Sequence, residues 1–219
     1  MRAITVDKVN ITPGKILCVG KNYLAHLREM GGSRPMPEPT IFMKPNSAIV
    51  SGANEVAIPA AHGVLHHEVE LCFVISRTLS RASEQEAGDS ISGWGVGIDF
   101  TLRDIQSAAK KAGGPWTISK GFDCAAVFGE FVTTGSDFDP LALDIKLSLN
   151  GNIRQSANTG QMIFSPAEVV SFVSRFMTID AGDLFMTGTP EGVGEVKDGD
   201  KIDAEISGLP PLKFAILRP

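Results

Sequence analysis

The sequence is poor in cysteine, and its three cysteines form no pair or cluster. Cys18, Cys72 and Cys124 are odd in number, lie in separate and mostly apolar segments, and include no C-x-x-C motif. Disulfide frameworks and zinc sites need paired or closely spaced cysteines. We therefore expect reduced thiols in the core and a cytoplasmic protein.

Long apolar runs and clusters of positive charge are also missing. No run is long enough to span a bilayer, and the N-terminal residues lack the apolar segment of a secretory signal peptide. The net charge is −5, and the lysines and arginines are scattered along the chain. A nucleic-acid-binding surface needs a basic patch. We expect neither membrane insertion nor a nucleic-acid partner.

Low-complexity linkers and breaks in composition are absent too. With 219 residues and 43% hydrophobic composition, the chain is long enough to bury one sizeable core. We expect a single domain over residues 1–219, in which residues 1–14 form a short lead-in. Many short strand signals, two or three helices and no regular strand–helix alternation favour an α+β fold, a rolled mixed β-sheet with a few short helices.

The acidic residues with the most informative spacing lie in His66-His67-Glu68-Val69-Glu70-Leu71. Successive side chains of a strand point to opposite faces, so Glu68 and Glu70 project to one side. Carboxylates this close, beside the apolar residues 71–75, would repel one another unless they were neutralised. A hard divalent cation such as Mg²⁺, or next Mn²⁺ or Ca²⁺, suits all-oxygen ligation. Alternatively, both acids lie on the solvent face of an edge strand.

A short helix is predicted to begin at Asn22 and to end at Gly31 and Gly32. His26 and Glu29 are three residues apart and therefore share one helical face. A carboxylate beside an imidazole fixes its tautomer, which suits a base that activates water. The alternative is a solvated pair on a surface helix.

A second polar pair, Arg103 and Gln106, shares the face of a helix that Thr101 is expected to cap. A guanidinium fork with a nearby amide suits a substrate carboxylate. The alternative is a surface arginine paired with Asp104. Lys44 is interpreted as a surface lysine, the commoner explanation, with a side chain that points into the pocket as the alternative.

Local patterns predict several scaffold features. Two S-x-x-E sequences, beginning at Ser83 and Ser165, predict capping boxes, and Asn150-Gly151 predicts a hairpin turn. Alternating glycines in residues 94–100 predict close approach by another backbone or a ligand. The helix after Ser165 is expected to bury one side, formed by Val169, Val170, Phe172, Val173, Phe176 and Met177.

Four segments occur in the order found in the fumarylacetoacetate hydrolase family, which the sequence resembles from about Lys15 to the C-terminus. They are residues 66–71, 99–106, 120–123 and 187–194. The short acylpyruvase and oxaloacetate decarboxylase members are the most similar. Four ordered motifs are more specific together than any one of them alone.

The resemblance implies that these segments contribute residues to one active site and that the helix of His26 forms a lid over it. The residues it assigns are His26, Glu29 and Lys120 for catalysis, Arg103, Gln106, Gly188 and Thr189 for substrate binding, and Glu68, Glu70 and Asp99 for Mg²⁺ or Mn²⁺. It also implies a homodimer.

The expected reaction is metal-dependent hydrolysis of a C–C bond in an acylpyruvate-type 1,3-diketo acid, such as acylpyruvate or fumarylpyruvate. His26, oriented by Glu29, would activate water, and the pyruvate enolate would leave onto the metal and Lys120. Decarboxylation of oxaloacetate is the nearest alternative, because it needs the same enolate stabilisation without a water nucleophile. A third possibility is a catalytically silent metal- or ligand-binding protein.

Overall fold

The computed structural model describes residues 2–135 and 137–219, so Met1 and Ser136 lie outside the description. The strands are β1 (Ile4–Val6), β2 (Val9–Ile11), β3 (Ile16–Gly20), β4 (Thr40–Lys44), β5 (Ile49–Ser51), β6 (Glu55–Ala57), β7 (Leu65–His67), β8 (Val69–Ile75), β9 (Ile91–Asp99), β10 (Thr101–Leu102), β11 (Ala126–Phe128), β12 (Asp144–Leu149), β13 (Asn152–Asn158), β14 (Leu184–Met186), β15 (Gly194–Glu195), β16 (Lys201–Ile206) and β17 (Leu212–Leu217). The α-helices are α1 (Leu24–Glu29), α2 (Glu84–Gly88), α3 (Arg103–Ala112), α4 (Thr117–Lys120) and α5 (Pro166–Ser174). Single turns of 3-10 helix occupy Asn46–Ala48, Ala60–His62 and Thr159–Gln161.

The predicted mixed fold is confirmed, although the described residues contain more helices than the two or three expected. A seven-stranded sheet has the order β4-β3-β14-β8-β9-β11-β5, and a five-stranded sheet has the order β13-β12-β16-β17-β6. A three-stranded sheet, β10-β7-β15, and the hairpin β1-β2 complete the strand pairing. The hairpin contributes buried Ile4 and Val6, so the lead-in takes part in the core.

The two faces of β8 contact different parts of the core. Leu71 and Phe73 belong to a large cluster that also contains side chains of the five-stranded sheet. Cys72 and Val74 belong to a smaller cluster on the opposite face. Because side chains alternate along a strand, Glu70 shares the face of Cys72. The central strand therefore delivers an acid to the edge of the smaller cluster.

The glycines of β9 make room for aromatic rings. A Cβ atom at Gly95 would lie 2.8 Å from a ring carbon of Phe131, closer than real Cβ contacts allow. At Gly97 the same atom would press on the Cys72 sulfur and the Phe128 ring. The predicted close approach is real, but it comes from side chains, where we had expected backbone or a ligand.

Both predicted capping boxes are confirmed, since Ser83 and Ser165 each accept a hydrogen bond from the third residue of their helix. The predicted extent of the last helix, α5, is wrong. It ends at Ser174, and Phe176 beyond it is 70% exposed, with its ring beside the Arg175 guanidinium. Phe176 and Met177 therefore leave the buried side predicted for them.

Two predicted helix caps are wrong. The residues in the cap positions of α1 and α3 are Tyr23 and Leu102, and neither supplies a side-chain cap. Asn22 instead donates to the carbonyl oxygen of Thr187 at 2.8 Å, and Thr101 lies in β10. An asparagine that is buried needs partners for its amide, and distant loop carbonyls satisfy it.

The hairpin predicted at Asn150-Gly151 joins β12 to β13, with both turn residues at positive φ. It places Gln155 of β13 opposite Leu147, facing the interior.

None of the helices in residues 2–135 and 137–219 is long and apolar enough to cross a membrane. The three cysteines are free thiols. Cys18 and Cys72 are buried, whereas Cys124 is only half-buried.

Candidate active site

Three carboxylates meet where β8 and β9 pair. The antiparallel register sets Glu70 opposite Gly97, and the N–H of Asp99 donates to the carbonyl oxygen of Glu68 at 2.9 Å. Carboxylate oxygens of Glu68, Glu70 and Asp99 all lie within 4.8 Å of one another, and all three residues are buried. We call these three residues the acidic cluster. The alternative of solvent-facing acids on an edge strand is wrong for Glu68 and Glu70.

Two cations contact the acidic cluster from the side of α3 and α4. The Lys120 ammonium lies 2.7 Å from Glu68 Oε2 and 2.6 Å from Asp99 Oδ2, and Arg103 forms an ion pair with Glu68 Oε1. Burial disfavours the Glu68 carboxylate, but Lys120 and Arg103 outweigh burial and hold its pKa below the usual range. Burial likewise opposes the Lys120 ammonium, yet Asp99 and Glu68 raise the pKa of Lys120.

Lys44 also belongs to this site, and its interpretation as a surface lysine is wrong. The residue is 2% exposed, and its ammonium lies 2.8 Å from Asp99 Oδ1. It also donates to the carbonyl oxygens of Phe100 and Lys120. A buried ammonium requires such partners. Lys44 thereby ties β4 to the segments that carry Asp99 and Lys120.

Glu70 is the acid that lacks a cationic contact among the described residues. Its Oε2 accepts a hydrogen bond from the N–H of Gly188 at 2.7 Å. Burial, together with the nearby charges of Asp99 and Glu68, raises the pKa of the Glu70 carboxyl well above its usual value. The N–H of Gly188, expected to bind substrate, here serves the acidic cluster.

This donor set fits a hard divalent cation. Carboxylate oxygens at such mutual distances match the ligands that Mg²⁺ and Mn²⁺ prefer. Positive charge at this position would also relieve the repulsion that raises the pKa of Glu70.

The helix α1 lies over the pocket and carries His26 into it. His26 Nδ1 lies 3.0 Å from Glu29 Oε2, and Glu29 Oε1 accepts from the N–H of Gly192 at 2.9 Å. Because a carboxylate only accepts, Nδ1 is the donor of this hydrogen bond, and Nε2 is then the nitrogen that accepts a proton in the neutral form of the ring. His26 is buried and lines the pocket, so a solvated surface pair does not describe it.

Only glycine fits at position 192. Its φ is +91°, and a Cβ atom there would collide with the carbonyl oxygen of Arg154 in β13. This tight packing fixes the Gly192 N–H that holds Glu29, and therefore the position of α1.

Arg103 turns into the pocket. Its Nη1 donates to Gln106 Oε1 at 2.6 Å, while its Nε has no partner among the described residues. Asp104 accepts instead from the N–H of Val64 at 3.2 Å, so the alternative of a surface pair between Arg103 and Asp104 is wrong. A guanidinium with an unused donor is suited to an incoming oxyanion.

Gln155 is a central polar residue in the strand after the predicted hairpin turn, a segment expected to be scaffold only. Its fully buried amide makes four hydrogen bonds. Oε1 accepts from Val69 N (3.1 Å) and His67 Nδ1 (3.0 Å), and Nε2 donates to Thr189 Oγ1 (2.8 Å) and Pro190 O (2.9 Å). Since Thr189 accepts here, its own hydroxyl proton is free to point into the pocket. A partial signal was present, because Gln155 shares strand parity with Ala157, which packs against the large cluster. On the other side a bulge breaks the alternation and leaves Ile153 60% exposed.

Replacing Gln155 by methionine, which has a similar length, is expected to lower the free energy of unfolding by about 2–4 kcal/mol. The change leaves the buried Val69 N–H and the Pro190 carbonyl without partners. It also releases Thr189, so KM for the substrate should rise. Chemical denaturation measures the first effect and steady-state kinetics the second. Gln85→Met on the exposed face of α2 is the control, and equal stability of the two variants would contradict the assignment.

Eight of the ten predicted site residues line one pocket: His26, Glu68, Glu70, Asp99, Arg103, Gln106, Lys120 and Thr189. The other two, Glu29 and Gly188, lie behind it and bind His26 and Glu70. The fold thus brings together residues from separate segments of the chain.

Comparisons with known proteins identify the family of the chain. Residues 15–217 match the family described as fumarylacetoacetate (FAA) hydrolase C-terminal. The chain is 42% identical to the mitochondrial oxaloacetate tautomerase FAHD1 of Bos taurus over 93% of its own length and 92% of that protein. It is 41% identical to the oxaloacetate tautomerase YcgM of Escherichia coli, over 89% of each.

A solved structure with the same fold is that of fumarylpyruvate hydrolase from Pseudomonas aeruginosa in complex with Mn²⁺ and pyruvate. The TM-score is 0.94 at 35% sequence identity, covering 99% of this chain and 96% of that one.

Proposed function

The chain is an enzyme of the fumarylacetoacetate hydrolase family, and on this premise we propose that its pocket binds a 2-oxo carboxylic acid and stabilises the enolate of that acid. The observation that carries the proposal is the acidic cluster, which shares one pocket with the histidine base and with Arg103 and Lys120. Mg²⁺ or Mn²⁺ held by Glu68, Glu70 and Asp99 would act as a Lewis acid toward the 2-oxo oxygen.

Each remaining side chain has a task that its contacts support. Arg103, Gln106 and Thr189 present donors from α3 and from the loop after β14, and they bind the substrate carboxylate. Lys120 supplies positive charge where the enolate oxygen develops its own negative charge. His26 Nε2 accepts a proton, and Glu29 stabilises the imidazolium that forms.

The first candidate reaction is hydrolysis of the C–C bond in an acylpyruvate. His26 removes a proton from water, the hydroxide attacks the distal carbonyl, and the C–C bond breaks to release a carboxylic acid and the pyruvate enolate. Protonation of that enolate at carbon gives pyruvate. The complex of the Pseudomonas aeruginosa fumarylpyruvate hydrolase with Mn²⁺ and pyruvate supports this candidate.

The second candidate is enolisation of oxaloacetate, with tautomerisation or decarboxylation as the outcome. A base takes a proton from carbon 3 and oxygen gains one, or carbon dioxide leaves and the same kind of enolate remains. The relatives from Bos taurus and Escherichia coli carry the name oxaloacetate tautomerase, which favours this candidate. Neither outcome requires a water nucleophile.

Removal of divalent ions is expected to abolish turnover, and Mg²⁺ or Mn²⁺ should restore it. The test is a panel of acylpyruvates, fumarylpyruvate and oxaloacetate, assayed with chelator-treated protein before and after each ion is returned. The acidic cluster predicts that activity follows occupancy of the ion site. Undiminished turnover after chelation, or turnover of no 2-oxo acid with either ion, would refute the proposal.

We also propose a cytoplasmic homodimer. The free thiols of Cys18 and Cys72 fit a reducing compartment. The sheet edge at β4, where Met43 is exposed beside an apolar groove, offers a surface for a second copy.

A further inference from the structure

The pocket continues beyond the residues that the proposed function uses. Along α3, Arg103, Gln106 and Lys110 follow at spacings of three and four and therefore share one helical face. The Cα atom of Lys110 lies about 10 Å farther along the helix axis than that of Arg103, because the two are seven residues apart and the rise is about 1.5 Å per residue. Lys110 and Lys21 line the pocket at this end, and we call the two residues the distal lysines.

The distal lysines lack anionic partners. Among the described residues, neither ammonium forms an ion pair or a side-chain hydrogen bond, although both residues are half-buried. The Lys110 ammonium lies 5.1 Å from the centre of the Trp116 ring, which contacts Phe42 edge-on. Lys21 is held at φ +61°, an unusual conformation for a residue with a side chain. Unpaired cations of this kind gain from an anion that arrives with the ligand.

The charges that line the pocket lead to the same conclusion. Four cationic side chains and three carboxylates line it: Lys21, Arg103, Lys110 and Lys120, against the acidic cluster. A divalent ion at the acidic cluster would increase the positive excess further. A substrate with one carboxylate cancels a single unit of this excess, and that carboxylate is already assigned to the Arg103 end. A second negative group at the distal lysines would bring the filled pocket closer to neutrality.

We infer that Lys110, assisted by Lys21, binds a second carboxylate of the substrate, so that this enzyme prefers 2-oxo acids with an acidic group at both ends. The inference rests on the proposed function and assigns a residue that determines specificity within the same site. Trp116 and Phe42 also line this pocket, and their rings would suit an apolar or unsaturated linker between the two carboxylates.

A matched pair of probes tests the inference. Succinylpyruvate and butyrylpyruvate have the same chain length and differ in a terminal carboxylate against a methyl group. The parent enzyme with Mg²⁺ should prefer succinylpyruvate. Lys110→Met keeps the length of the side chain and its packing on Trp116 but removes the charge. It should lower kcat/KM for succinylpyruvate by roughly 10- to 100-fold, mainly through an increase in KM. A loss of this size corresponds to the usual contribution of one charged hydrogen bond.

The controls separate charge from structure. Lys110→Met should change butyrylpyruvate turnover by less than about 3-fold, and Lys110→Arg should keep the preference for the dianion. Lys111→Met, at the exposed neighbouring position of α3, should behave as the parent. Equal loss with both probes in Lys110→Met, or no preference in the parent, would overturn the inference.

The pH dependence provides an independent readout. Lys110 faces Arg103 on its own helix, Lys21 after β3, Glu68, and Lys120 on α4. Burial and the repulsion from Arg103 and Lys21 lower the pKa of Lys110 to about 8. Its ammonium is present below that pH and is lost above it. The preference in kcat/KM should therefore decline above about pH 8 in the parent and in Lys111→Met, and stay flat in Lys110→Met. A preference that persists unchanged at pH 10 would contradict the role of Lys110.

Failure of the proposed function would be visible separately. If the enzyme turns over neither probe, calorimetry with Mg²⁺ present still compares their binding to the parent and to Lys110→Met. Tighter binding of succinylpyruvate that disappears in Lys110→Met would support the distal site even then. Equal binding of both probes would reject it.

Discussion

Glu70→Gln is expected to eliminate both divalent-ion binding and activity while leaving the ion-free protein folded. The amide keeps the shape and the acceptor for the Gly188 N–H, but it removes the carboxylate that lacks a cationic contact. Because burial and its acidic neighbours raise the pKa of Glu70, its charge is unfavourable without an ion, and a neutral amide should cost little stability. We expect ion affinity to fall by at least about 100-fold, judged against the losses that follow changes around ligands.

Calorimetric titration with Mg²⁺ and Mn²⁺ measures the affinity, and thermal unfolding with and without each ion measures the linked stabilisation. In the parent, each ion should raise Tm, and in Glu70→Gln this increase should disappear. Glu84→Gln, an exposed acid of α2, is the matched control. Parent-like ion affinity in Glu70→Gln would show that the acidic cluster is not the ion site.

His26→Ala is expected to separate hydrolysis of an acylpyruvate from decarboxylation of oxaloacetate, whereas tautomerisation, which also needs a base, should fall together with hydrolysis. Hydrolysis needs a base for water, and loss of a positioned base costs roughly 10²–10⁴-fold. Decarboxylation of oxaloacetate needs only the stabilisation of the enolate that Lys120 and the ion site supply, so it should fall much less. The measured quantity is the ratio of acylpyruvate hydrolysis to oxaloacetate decarboxylation, in the variant relative to the parent.

Two further variants define the cause of such a change. His62→Ala, an exposed histidine outside the pocket, should leave both activities intact. Glu29→Gln retains a contact for the Gly192 N–H but weakens the support of the imidazolium, and it should lower hydrolysis alone. Equal large losses of both activities in His26→Ala would show that His26 orders α1 and does not act as a selective base.

The pairing of Glu68 and Glu70 in the acidic cluster could be predicted because it depends only on their spacing along one strand. Strand alternation places Glu68 and Glu70 on one side. Asp99, which lies 29 residues after Glu70, was assigned to the same site by the family resemblance. The His26–Glu29 pair follows equally from helical spacing. In both cases, residues close in sequence carry most of the geometry.

Lys44, Asn22 and Gln155 were misjudged for the opposite reason. Their partners are remote: Gln155 bonds Thr189 at a separation of 34 residues, Lys44 bonds Lys120 at 76, and Asn22 bonds Thr187 at 165. Local spacing holds no information on such pairs. In the sequence, such a pair is visible only as a polar residue within an apolar pattern. The same pattern arises more often from a residue that is exposed at the surface.

The loop that follows β14 contains two glycine N–H groups that differ in their hydrogen-bond acceptor and in their burial. The Gly188 N–H is buried against Glu70, whereas the Gly192 N–H reaches Glu29 on the exposed rim of α1. Hydrogen exchange at Gly192 therefore requires only that α1 lift away, while exchange at Gly188 requires the acidic cluster itself to come apart. The protection of these two amides reports two separate opening equilibria, one for access to the pocket and one for its integrity.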